Sequence, residues 1–88
     1  MDWVDRLAEA LGEETLTAQE IQRLLAASRD VAHRVERKAT PLAAYIVGVA
    51  VGARMAEGAS RETAFDDAIE AVYDRLPPGA PGEEPEDG

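Results

Sequence analysis

Cysteine is absent from this chain of 88 residues. No disulfide can staple it, and no thiolate can bind a metal. Aromatic side chains are nearly as scarce, with one Trp, one Phe and two Tyr. A core must therefore be assembled from alanine and aliphatic groups. A domain of this size buries only about 60% of its unfolded surface and is marginally stable by itself. Basic residues are outnumbered, nine against eighteen acidic ones, for a net charge of −9. That balance favours solubility and opposes non-specific nucleic-acid binding, which works by neutralising phosphates. The N-terminus, Met1-Asp2-Trp3, lacks the basic region and apolar run of a signal peptide. A cytoplasmic protein is the expectation, with no nucleic acid and no membrane among its partners.

The acidity is uneven. Glu83, Glu84, Glu86 and Asp87 place four negative charges in the last six residues. By contrast, residues 23 to 38 hold five cations (Arg23, Arg29, Arg34, Arg37, Lys38) against Asp30 and Glu36. From Pro77 to Gly88 the chain is dominated by Pro, Gly and acid and cannot order itself through apolar burial. The expected organisation is a helical domain over 1–76 and a disordered tail over 77–88.

What is present is helical periodicity. Asp2 suits the cap of a first helix running to about Leu11, with Val4, Leu7, Ala8 and Leu11 on one stripe, Trp3 on its flank and Gly12 as a stop. Thr17-Ala18-Gln19-Glu20 fits a capping box, and Leu16 with Ile21 fits a hydrophobic staple. They open a second helix running to about Arg37. Ser60 caps a helix over Arg61 to Leu76, with Phe65, Ala68, Ile69, Val72 and Leu76 inward, and Pro77-Pro78 stops it.

The organising stretch is Pro41 to Ala56, without charge until Arg54. Thr40-Pro41 is a favourable helix start. A helix apolar on nearly every side is a membrane span or the buried centre of a bundle, and a span needs about 20 apolar residues. The spacing therefore predicts a buried central helix over about 41–57, with Leu42, Tyr45, Ile46, Val49 and Ala53 on one apolar face. Ala44, Gly48, Gly52 and Ala56 form a second line of small residues. Gly in a helix costs roughly 1 kcal/mol against Ala, so the glycines imply close packing of another helix, within the chain or across a homodimer seam. The fold class expected is all-α, a small four-helix antiparallel bundle.

Candidate sites are few. Arg34, Arg37 and Lys38 lie beside the start of the central helix with Thr40 as its cap. Free N–H groups at a helix N-terminus attract anions, so these four residues are a candidate small-anion or nucleotide site. The alternative is that the cations complement the C-terminal dipole of the second helix. Asp30 precedes His33 by three residues and could hold one imidazole tautomer. No Ser or Cys stands in an evident nucleophile setting, so no catalytic residue is assigned. Asp66, Glu70 and Asp74 repeat every fourth residue, with Asp67 beside them. They lack the Glu-x-x-His pairs of di-iron bundles and read as a solvated face, so no metal or other cofactor is expected.

The run Arg29-Asp30-Val31-Ala32-His33, then Val35-Glu36-Arg37, Pro41-Leu42 and Val47-Gly48-Val49-Ala50-Val51-Gly52, resembles a small actinobacterial helical domain family of unknown function. Members of that family occur alone or fused C-terminal to molybdenum cofactor guanylyltransferases. The resemblance covers roughly the first 75 residues and is strongest from Leu24 to Gly52. Lys38 and Ala39 depart from it, standing where small residues or Pro are expected. It carries over no catalytic residue. It implies a non-enzymatic accessory or interaction module, with such a guanylyltransferase as a possible partner.

Overall fold

The structure, a computed structural model, describes residues 1–78. Four helices follow in order: α1 Asp2–Ala10, α2 Ala18–Arg34, α3 Ala39–Ala56 and α4 Arg61–Arg75. The protein is all-α, with no strand among the described residues. The acidic segment Gly79 to Gly88, expected to be disordered, lies outside them.

Local chemistry sets the helix ends. Thr17 accepts from the Glu20 amide at 3.0 Å while Glu20 Oε1 accepts from the Thr17 amide at 2.9 Å, completing the capping box. Ser60 accepts from the Thr63 amide at 3.1 Å. Helices α1 and α3 both end in Schellman motifs. Gly12, at φ +74°, donates to Glu9 while Glu13 donates to Ala8. Gly58, at φ +108°, donates to Met55 while Ala59 donates to Arg54. Both glycines occupy the left-handed region where a side chain is strained. Helix α2 ends at Arg34, three residues earlier than the periodicity suggests, because Val35 leaves helical geometry at φ −115°, ψ −83°.

Three helices make the core. Helix α3 packs most extensively on α4 and next on α2, while α2 and α4 touch less. Ala27, Val47, Phe65 and Ile69 form the buried cluster, with Leu24, Val51, Ala68 and Val72 against it. Arg23 lies over the Phe65 ring, 5.2 Å from its centroid, and pairs with Asp66. Helix α1 packs on none of the others and buries no residue, although its apolar stripe is well formed.

Two expectations are corrected here. Helix α3 is central in contacts but is covered on one side only. Val47 is its one buried residue, with Ala43, Ala50 and Val51 half-buried. On that covered side Val47 joins Ala27, Phe65 and Ile69. The second correction is α1, which stands outside the bundle. By length and composition alone α3, 18 residues with mean hydropathy 1.4, is long and apolar enough to cross a membrane.

Candidate functional site

The outward side of α3 exposes several large apolar side chains. Leu42 and Ile46 are each 65% exposed, Tyr45 74% and Val49 56%. These four, with the exposed Ala53, are the apolar face that periodicity assigned to the interior. Scattered exposed hydrophobes are ordinary, but four large ones on two adjacent turns make a contiguous patch. Patches of about 300–600 Å² on monomers commonly mark interaction sites. No charge interrupts this one, since Arg54 is the only charged residue in α3. Arg54 instead turns to α4, with its guanidinium 3.4 Å from Asp67.

The small-residue line needs correction as well. A Cβ built on Gly48 or Gly52 meets nothing within 4 Å. Ala44 and Ala56 are exposed. Among the described residues no helix packs closely on Gly48 or Gly52, while Ala44 borders α2 beside Leu24 and Ala27. The Ala44, Gly48, Gly52, Ala56 stripe therefore belongs to the exposed face, and close packing within one chain is not its reason.

The anion site at Arg34, Arg37, Lys38 and Thr40 lacks the donors it needs. The helix begins at Ala39, and Lys38 occupies the cap position in helical geometry without a side-chain cap bond. The Ala39 amide donates to Glu36 at 3.1 Å and the Thr40 amide to Arg37 at 3.1 Å. Pro41, next in line, has no N–H. Thr40 is not the cap. Its hydroxyl sits one position inside the helix and donates to the Ser28 carbonyl at 3.4 Å, tying α3 to α2. Arg34, Arg37 and Lys38 are exposed.

Polar contacts elsewhere are structural. Glu20, 8% exposed, receives two bonds of 2.8 Å from Arg61, one from Nε and one from Nη2. Arg61 also donates to the Thr15 carbonyl at 3.2 Å and to Glu14 at 3.3 Å. Bonding from Arg61 holds the Glu20 carboxyl below its ordinary 4.5 against the opposing effect of burial, and Glu20 in turn raises Arg61. This clamp joins the start of α2 to the start of α4 and grips the linker from α1. Capping-box spacing announced Glu20, whereas no local signal announced Arg61 as its partner.

Asp30 does not serve His33. It accepts from the Tyr73 hydroxyl at 2.5 Å, joining α2 to the end of α4, and this bond raises the Tyr73 phenol above 10. His33 is exposed. Asp66 is engaged with Arg23, which breaks the acidic row. Among the described residues, no three His, Asp or Glu side chains are grouped to hold a metal ion.

Between α3 and α4 runs an open apolar groove of about 460 Å³. Ala43, Ala50, Ala68 and Ala71 line it, Val35 and Leu76 close one end, and Arg54 and Arg75 stand on its rim.

In comparison with known proteins, residues 1–83 match the family described as Domain of unknown function (DUF6457). No curated protein and no solved structure matches the chain.

Proposed function

From the premise that this chain belongs to the DUF6457 family, we propose that it is a cytoplasmic, non-enzymatic protein-interaction module that docks through the outward side of α3. One observation carries this reading: Leu42, Tyr45, Ile46 and Val49 stay at least half exposed on a helix whose other side packs on α2 and α4. A helix offering an apolar stripe to a groove is a recurring recognition mode, read as anchors at i, i+3, i+4 and i+7. Leu42, Tyr45, Ile46 and Val49 have that spacing. Tyr45 is the expected central anchor, since aromatics concentrate binding energy at interfaces. For the partner we propose a molybdenum cofactor guanylyltransferase, on the sequence resemblance from Leu24 to Gly52. The alternative, an anion or nucleotide site at Arg34, Arg37, Lys38 and Thr40, is disfavoured because the Ala39 and Thr40 amides are already bonded.

The test is calorimetric titration of the full chain into a purified guanylyltransferase, beside the double variant Tyr45→Glu, Val49→Glu. Saturable binding by wild type, lost in a variant that keeps its helical content, supports the reading. Equal binding by both proteins places the contact elsewhere. Binding of wild type to neutral phosphatidylcholine vesicles, but not to the enzyme, would make the face a lipid-contacting one.

A further inference from the structure

We infer that two copies of this chain exchange α1 helices, each copy laying its α1 into the α3–α4 groove of the other. This goes beyond the docking of α3 and uses a different surface. Only Ile46 borders both.

Among the described residues, helix α1 is a donor without an acceptor. Trp3, Leu7 and Leu11 recur every fourth residue and are 66%, 42% and 67% exposed. Its other side carries Asp2, Asp5 and Glu9 against a single Arg6. The groove is an acceptor without a donor. It is floored by alanines, which leave room for large side chains, and its rim bears Arg54 and Arg75. Arg54 is paired with Asp67, which also lines the groove. Ala39 to Arg54 along α3 spans about 22 Å, so an α1 of about 14 Å fits within it.

A chain's own α1 is held away from its own groove. Arg61 fastens Glu14 and Thr15 beside Glu20, where α2 faces α4. The groove lies on the other side of α4, facing α3. The short linker from Gly12 to Leu16 is thus committed to the wrong side. Area favours reciprocal exchange. The stripe of α1 offers roughly 400 Å², and covering a groove of similar extent brings each copy near the roughly 800 Å² of a standard interface. A one-way insertion would reach half of that. Reciprocal exchange is also isologous, so it closes at two copies instead of growing a fibre.

Sedimentation equilibrium of the full chain, read together with emission from its one tryptophan, Trp3, tests this. A dimer that forms with concentration, accompanied by a blue shift of Trp3, is the expected result. Leu7→Asp on the donor, or Ala71→Arg in the acceptor, should each weaken dimerisation about tenfold or more and restore solvent-exposed emission. Neither should lower helical content much, because Leu7 touches no bundle helix and Ala71 is exposed. Tyr45→Glu with Val49→Glu should leave the dimer intact, which separates failure here from failure of the α3 reading. A monomer with solvent-exposed Trp3 at all concentrations overturns the inference. So does a monomer with blue-shifted Trp3, which would mean α1 folds onto its own bundle. A dimer unchanged by Leu7→Asp overturns it too, by placing the seam elsewhere.

Discussion

Neutralising Glu20 should cost stability in a way that depends on pH, and the clamp fixes the sign. Glu20→Gln keeps an acceptor for the Thr17 amide and nearly the same volume. It removes the charge that receives two guanidinium bonds from Arg61 at 2.8 Å. Breaking a fully buried ion pair costs about 3–5 kcal/mol, whereas exposed pairs contribute about 0–1 kcal/mol. Glu20 is enclosed but Arg61 is a quarter exposed, so a loss of about 1.5–2.5 kcal/mol lies between those limits. For a domain of this size about 1 kcal/mol moves Tm by roughly 4–8 °C, so a loss of about 10 °C is expected near neutral pH. The folded carboxyl titrates below its ordinary 4.5. Its contribution is therefore fully present above the unfolded value and lost as pH falls through the folded one. Thermal melts by circular dichroism from pH 7 to pH 3 should show wild type and variant converging at the acid end. A Tm gap of constant size across that range would refute a charge-based clamp, leaving side-chain packing as the cause.

Gly52→Ala and Gly48→Ala, each with open space at the new Cβ, should raise stability by up to about 1 kcal/mol through helix propensity. Thermal melting checks this, and a loss would reveal a close neighbour at that face. Phe65→Ala removes the largest side chain of the core cluster and should cost about 3–5 kcal/mol in urea titration, which unfolds a domain this small at ordinary temperature. Tyr73 should titrate above 10 by ultraviolet absorbance, and Asp30→Asn should bring it down, since the bond to Asp30 is the first cause of the shift. An unchanged phenol titration in Asp30→Asn would mean the bond is not formed in solution.

Much of the fold was legible because helix ends carry local chemistry. Thr17 with Glu20, Ser60 and Gly12 each stand where the sequence places a cap or stop. Which side of α3 is buried was not legible. A helix apolar all round has no polar side to set its phase, so size became the guide, and size misled. The larger residues Leu42, Tyr45, Ile46 and Val49 face outward, while Ala43, Val47 and Ala50 lie on the covered side, where Val47 joins Ala27, Phe65 and Ile69. Thr40 misled for a related reason. Thr before Pro marks a helix start, yet the turn from Glu36 to Ala39 supplies the first bonds and frees the hydroxyl for Ser28. Amphipathicity correctly gave α1 as a helix but could not say whether its own chain covers it. That depends on Arg61, 46 positions from the carbonyl it holds.

The turn at Gly58 bears on the order of events in folding. Helices α3 and α4 share the most extensive contact of the molecule and are joined by only four residues, Glu57 to Ser60. Their encounter closes a very short loop, and proteins rich in such local contacts fold in microseconds to milliseconds. This hairpin is the natural nucleus, with α2 condensing onto it across Val47 and Phe65. Substitutions in the α3–α4 seam should then slow refolding in stopped-flow measurements. Loss of the Glu20–Arg61 clamp, which forms between the ends of non-adjacent helices, should mainly speed unfolding.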